Sequence, residues 1–306
     1  MNNNKIIFLF LITFMHASYC NESIDLYFCT AANSKYFNNL LNLIGSIHKT
    51  NFDNLREIAV FNIGLSTEEL EKLNTIQKVK TYEVELTHPD LLKPFKTTLC
   101  GKEVPGWYAW KPVILKQSLE MFPYVLYIDA GLGVLRPLDN LFKYIQQNKY
   151  FLGRLRPHSV WRQTNQYLYE KFELRKPENE WVIFQDPIVG FIIGASRQAK
   201  DILINPFYEF TKDITNFQDD GTCPGGFGDY RHDQSLLSVY GHLNRLWTHR
   251  LGCENNTPIL LNIENKTEDF YFHIDIPLVN EKTHIYYSAR FDERHNKYAE
   301  FIKFVS

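Results

Sequence analysis

The sequence predicts an α/β protein with a mostly parallel sheet flanked by helices, in one domain with a looser C-terminal part. Before residue 90, three apolar segments of strand length alternate with two segments whose apolar residues recur at helical spacing. That order calls for crossover helices and therefore parallel neighbours. A fourth strand-like run, Tyr124-Val-Leu-Tyr-Ile-Asp129, ends on one carboxylate. Open sheets of this class bind ligands just beyond the carboxyl ends of their strands, so Asp129 is the first residue to question.

The first strand is Ile24-Asp-Leu-Tyr-Phe-Cys-Thr30. Ser34 can cap the helix that follows, where Phe37, Leu40, Leu41, Ile44 and Ile47 share one face. Glu57–Ile63 is the second strand. Ser66-Thr-Glu-Glu69 has the pattern of a capping box, so a helix starts there and runs to about Ile76. Val79–Leu86 is the third strand, and proline-broken Pro89–Pro105 a loop. A helix from about Lys111 to Met121 delivers the strand that ends at Asp129. Further on, helices are expected over Leu138–Gln147, Thr164–Phe172 and Ser196–Thr211, with strands at Tyr150–Arg154, Val182–Phe184 and Val189–Gly194. The glycine-rich stretch after Asp219 reads as a long loop, and Asp233–Tyr240 begins a helix.

Bulk properties set limits on function. The 306 residues are 44% hydrophobic, enough for a sizeable core. A net charge of −2 gives no general attraction to nucleic acid or anionic membrane. Lys5, the apolar run Ile6–Met15 and the Ser18-Tyr-Cys20 site form a secretory signal pattern, so residues 1–20 are expected to be removed and 21–306 to form the mature domain. The run is short for a membrane span, so none is expected in the mature chain; a retained anchor is the rival reading. Export also fits the N-glycan sequons at Asn21, Asn255 and Asn265. Cys29, Cys100, Cys223 and Cys253 then allow three disulfide pairings. Cys223 and Cys253 are the better candidates, and Cys29 in a strand suits a buried thiol.

Alone, Asp129 would be an ordinary turn or cap carboxylate. Its surroundings change that balance. The segment Trp107-Tyr-Ala-Trp-Lys-Pro112, the strand to Asp129, the earlier Val60-Phe-Asn-Ile-Gly-Leu-Ser66 and the later Arg231-His-Asp-Gln-Ser235 together resemble the GT-A class of glycosyltransferases, in particular nucleotide-diphospho-sugar transferase-like proteins. The resemblance spans about residues 24–245 and implies a Rossmann-like GT-A fold. It also implies transfer of a sugar from a nucleotide-sugar donor, a UDP-sugar first of all, to a hydroxyl of a glycan or glycoprotein in the secretory pathway or outside the cell. In that class the strand ends in an Asp-x-Asp motif that binds a metal and the diphosphate, so Asp129 becomes the expected ligand of Mn²⁺ or Mg²⁺. The second Asp is missing, because Ala130 and Gly131 follow.

The resemblance places Ala31 and Asn33 beside the nucleotide and Lys111 near the diphosphate, where it would act as a point charge. It puts Trp107, Trp110, His232 and Gln234 around the acceptor pocket. Asp233 is the expected catalytic base and Asp186 its rival. Each has an ordinary alternative: Lys111 as a solvated residue of a first helical turn, the tryptophans as core, Asp233 as a helix cap. His273 and His284 are candidate late metal ligands, although a lone histidine more often satisfies structure. Two other functions fit parts of the pattern. One is a non-catalytic carbohydrate- or nucleotide-binding protein, favoured by the missing Asp. The other is a glycoside hydrolase, which would need Asp129 and Asp233 facing each other across a groove.

Overall fold

A computed structural model describes residues 24–96, 103–155, 159–225, 230–253, 270–274, 283–287 and 298–305. The expected leader, its cleavage site, the three sequons and Cys100 lie outside these residues, as does the side chain of Cys253.

The N-terminal half follows the expected alternation. Strand β1 (Leu26–Ala32) leads through α1 (Phe37–Asn51) to β2 (Leu55–Asn62), then through α2 (Thr67–Asn74) to β3 (Val79–Glu83). Ser66 caps α2 in a complete capping box with Glu69. The proline-rich connection is not all loop: β4 (Pro94–Lys96) and β5 (Glu103–Pro105) pair antiparallel in it. Helix α3 (Trp110–Met121) then delivers β6 (Tyr124–Ile128), and β7 (Leu132–Val134), α4 (Asp139–Asn148) and β8 (Tyr150–Arg154) follow.

The later part departs from expectation in two places. Val182–Phe184 is not a strand but part of a 3₁₀ turn, Glu180–Phe184, in which Val182 is buried and Phe184 stands out to solvent. A three-residue apolar run cannot separate the two conformations. The helix expected over Ser196–Thr211 is broken. After the short helices α5 (Val160–Gln163) and α6 (Gln166–Lys171), strand β9 runs Ile188–Ser196, and a 3₁₀ turn and a π turn lead into α7 (Asn205–Glu209). Pro206 has no N–H to continue a ladder but suits the first turn of a new helix. Helix α8 (Asp233–Leu243) and strands β10 (His249–Cys253), β11 (Phe270–Ile274) and β12 (Thr283–Tyr287) complete the order.

Ten strands form one sheet in the order β3-β2-β1-β6-β9-β8-β10-β11-β12-β7. β3, β2, β1 and β6 run parallel, and β9 is antiparallel to both β6 and β8. Strand alternation sends Phe28, Leu126 and Ile128 into a core with α1 and α4, and Cys29, Val125 and Tyr127 into a second core with α3. Cys29 is the buried thiol weighed above, its pKa pushed up to about 12 by burial. Cys223 Sγ lies 2.7 Å from the carbonyl oxygen of Arg162. Residues near the C-terminus return to the first half, where Phe304 bridges to Ile76 and the Tyr298 backbone rests on Gly45. Among the described residues no helix is long and apolar enough to cross a membrane.

Candidate active site

The chain passes from β1 outward to β2 and β3 on one side, then returns to place β6 on the other side of β1. That reversal opens a crevice at the carboxyl ends of β1 and β6, the usual ligand position in such sheets. Asp129 follows β6 directly, and its N–H donates to the Phe191 carbonyl of β9. Two residues on from Tyr127, it lies on the same side, toward α3. The Tyr127 hydroxyl donates to Asp129 Oδ1. Burial, reinforced by Asp129, raises the Tyr127 pKa far above the usual phenol range, so the hydroxyl keeps its proton and stays a donor.

Helix α3 runs back against β6, so its first turn lies at the same end. Lys111 sits there, buried, with Nζ 3.1 Å from Asp129 Oδ1, 3.0 Å from Asp233 Oδ2 and 3.0 Å from the Gly190 carbonyl oxygen. The ordinary reading of Lys111 as a solvated residue is therefore wrong. The Gly190 carbonyl accepts a hydrogen bond from Lys111 and the two carboxylates are ion-paired with it, while Asp233 Oδ2 has no hydrogen-bond partner among the described residues. The rings of Tyr108, Tyr127 and Trp110 stand 5.2, 5.4 and 5.9 Å from Nζ and add cation–π attraction. Burial works against the charge, yet Asp129 and then Asp233 hold the Lys111 pKa above the ordinary lysine range.

Asp233 opens α8. Its side chain is 5% exposed, against 31% for Asp129. Burial pushes its pKa up to about 6 while Lys111 pulls the other way. Gly190 makes this approach possible, since a Cβ there would collide with Asp233 Oδ2. The Gly190 N–H points to Gln234 Oε1 at 3.3 Å, and Gln234 Nε2 donates to Gln163 Oε1 at 2.8 Å. The first turns of α3 and α8 thus meet over one lysine, and both present the positive ends of helix dipoles.

An aromatic wall borders the cluster. Gly106, Trp107 and Tyr108 all have positive φ (51°, 51° and 63°), as does His232 (47°). Bulky side chains rarely take that conformation, and it clusters at functional sites. The turn stacks Trp107 on His232, with ring centroids 4.9 Å apart, and on Phe95 at 5.2 Å. His232 Nδ1 lies 2.9 Å from the Phe217 carbonyl oxygen. Trp107 and Trp110 are both buried, so neither is the open sugar platform expected of it. Tyr108, the half-buried ring between them, was not singled out in the sequence.

Other expected residues lie at varying distances from this centre. Extending the β1–β6 register puts Ala31 level with Asp129, but Ala31 belongs to β1 and is buried, so it does not follow the strand as expected. Asn33 does follow it, and its Oδ1 is buried with no hydrogen-bond partner among the described residues. Asp186 has other neighbours: Arg154 Nη1 lies 4.0 Å from its carboxylate, and its backbone oxygen faces His242 Nε2 at 2.9 Å. His273 and His284 sit opposite each other on β11 and β12, and their side chains lie outside the described residues. The hydrolase arrangement is not met, because Lys111 fills the space between Asp129 and Asp233 where a glycosidase needs a groove.

The donor set also does not fit a divalent ion held by the protein alone. Among the described residues no three His, Cys, Asp or Glu side chains gather to hold a metal. Asp129 Oδ1 accepts from Tyr127 and is ion-paired with Lys111, and Asp233 is ion-paired with the same lysine.

No protein-family model matches the sequence. No curated protein matches it either. Solved structures do. Core-mannan synthase A of Aspergillus fumigatus, in its Mn/GDP form, aligns at 10% identity over 76% of this chain and 74% of its own, with a TM-score of 0.51. Mouse xyloside xylosyltransferase 1 aligns at 11% identity over 74% and 85%, with a TM-score of 0.44. The galactosyltransferase LgtC, with donor and acceptor sugar analogues, aligns at 14% identity over 70% of each chain, with a TM-score of 0.42. The fold of this chain is that of the GT-A glycosyltransferases.

Proposed function

We propose that the chain transfers a sugar from a nucleoside-diphosphate sugar, with UDP-sugars the first to test, to a hydroxyl of a glycan or glycoprotein. The observation that carries this reading is the ion pair of buried Lys111 with half-buried Asp129 at the crevice between β1 and β6, within a fold shared with sugar-nucleotide enzymes. The bond from the anomeric carbon to the diphosphate breaks, and its electron pair leaves with the nucleotide. The acceptor oxygen bonds to that carbon and gives up its proton. The N-terminal turns of α3 and α8 face the place where the leaving diphosphate gains charge. Asn33, whose Oδ1 at the end of β1 has no hydrogen-bond partner among the described residues, supports a nucleotide position there.

Within this reading Asp129 is the carboxylate that faces the crevice. Asp233, enclosed by Lys111 and Gly190, has a holding role in place of the proton-accepting one expected from sequence. Nucleotide release from UDP- and GDP-sugars, measured with and without Mn²⁺, tests the proposal. CMP-sugars lack the diphosphate and serve as the control. Release from at least one diphosphate donor is expected, and silence across the panel from folded protein refutes the reading.

A further inference from the structure

Helix α8 leads outward from the Lys111 cluster. From Asp233 to His242 it rises about 14 Å, and there His242 Nε2 meets the backbone oxygen of Asp186. The carboxyl end of β8 meets the same segment, since the Leu155 N–H donates to the Pro187 carbonyl at 3.2 Å. Arg154 closes β8, and the parallel register sets Arg250 of β10 beside it. Partners on neighbouring strands stand about 5 Å apart on one face, so two guanidinium-bearing side chains leave the sheet together.

The protein does not balance these two charges. Among the described residues Asp186 is the one acid ion-paired with either arginine, and its Oδ2 lies 4.0 Å from Arg154 Nη1, the outer limit of such a pair. Arg154 Nε is buried with no hydrogen-bond partner among the described residues, and Arg250 is exposed. Like charges side by side on a sheet repel, and guanidinium forks match the oxygens of a carboxylate or sulfate. Apolar surface borders them. Phe184 is 71% exposed and Trp161 48%. The Val160 N–H donates to the Gln185 carbonyl at 3.0 Å, which holds α5 against the Phe184–Pro187 segment. A bare anion gains nothing from exposed aromatic rings, whereas a sugar packs its C–H face on one.

We infer that Arg154 and Arg250, bordered by Trp161 and Phe184, form an outer acceptor subsite for a glycan that carries a carboxylate or sulfate. The inference rests on the proposed transfer reaction. The donor's diphosphate belongs at the crevice, and the arginines stand roughly one length of α8 beyond it. The acidic group therefore sits on a sugar residue removed from the reacting hydroxyl. Binding it there holds the acceptor in place through contacts remote from the bond that forms.

Calorimetry on the full chain at physiological ionic strength tests the subsite with four probes. A hyaluronan hexasaccharide carries carboxylates alone, a heparin hexasaccharide carries sulfates as well, maltohexaose is neutral, and inorganic sulfate is the bare anion. At least one acidic saccharide should bind about tenfold or more tighter than maltohexaose, and the preference between the two tells carboxylate from sulfate. Arg250→Gln should lower that affinity by about tenfold, the size of one charge-assisted contact. Trp161→Ala should weaken the saccharide and leave inorganic sulfate unchanged.

Equal affinity for acidic and neutral saccharides overturns the inference, as does inorganic sulfate binding as tightly as a saccharide. A folded Arg250→Gln protein that binds like wild type also overturns it. Arg56→Gln is the control for general charge attraction, because Arg56 lies near the start of β2, at the opposite end of the sheet; an equal loss there overturns the subsite too. UDP and GDP are titrated separately. A protein that binds the acidic saccharide but neither nucleotide, and releases nucleotide from no donor, contradicts the transferase reading and leaves a glycan-binding site in its place.

Discussion

Gly190 and Asp233 touch so closely that a single methyl group on the glycine would strike Asp233 Oδ2. The same glycine offers its carbonyl oxygen to Lys111. One backbone position in β9 therefore sets how far the carboxylate and the ammonium can approach each other. Gly190→Ala should force Asp233 away from Lys111 and destabilise the fold by about 1–3 kcal/mol, the usual cost of overpacking a core. Urea unfolding of the variant against wild type measures this, and an unchanged midpoint would mean the contact is slack.

Lys111 sets one positive charge against two carboxylates, of which Asp233 is buried with it. Replacing it with alanine leaves Asp233 uncompensated, and the expected loss is about 3–5 kcal/mol. The loss should shrink in the double variant Lys111→Ala/Asp233→Asn, because the stranded charge is then gone. A double-mutant cycle by denaturant unfolding reads the coupling directly.

Asp233 gives the stability a pH signature. Its pKa is about 6 in the fold against an ordinary value of 3.8, so between those values the folded chain binds more protons than the unfolded one. The contribution of this residue to stability therefore falls as pH rises from about 4 to about 6 and is level above that. Activity should move the opposite way, falling as pH drops through about 6, because the neutral acid loses its ionic hold on Lys111. Asp233→Asn removes both trends. Wild-type and variant melts, with kcat/KM profiles from pH 4 to 8, would show whether the two slopes disappear together.

Asn33 separates binding from folding. Its Oδ1 has no partner among the described residues, so Asn33→Ala gives up no such hydrogen bond in the free chain. Stability should stay within about 0.5 kcal/mol of wild type. Nucleotide affinity should fall by about 0.5–1.5 kcal/mol, the net worth of one hydrogen bond. Equal nucleotide affinity in the two proteins would remove Asn33 from the site.

Much of the frame was legible in the sequence because the period of its apolar residues differs between strand and helix. The β1-α1-β2-α2-β3 order, the Ser66 cap and the strand ending at Asp129 all came from local patterns. What decided the site was not local. Lys111, Gly190 and Asp233 are far apart in the chain, and only the β6–β9 pairing and the packing of α3 and α8 bring them together. Two signals were present without being used. Tyr127 stands two residues before Asp129 and so shares its face, and a glycine within a buried strand marks a close approach at Gly190. Nothing in the sequence announced the left-handed turn at Gly106–Tyr108, which turns Trp107 into the wall and leaves Tyr108 half-open. The breaks after Ser196 were blurred because 3₁₀, π and α turns share nearly the same apolar spacing.

The most direct test of the central claim is the binding and turnover of whichever nucleotide-sugar the donor panel selects, compared between wild type and Asp129→Asn. The substitution keeps the shape of the side chain and removes its charge. If the crevice beside β6 is the donor site, the folded variant should lose nucleotide release by about 10²-fold or more, a size typical for removal of one electrostatic contact to the reacting group. A folded Asp129→Asn protein that releases nucleotide at the wild-type rate would place the chemistry elsewhere and contradict the account.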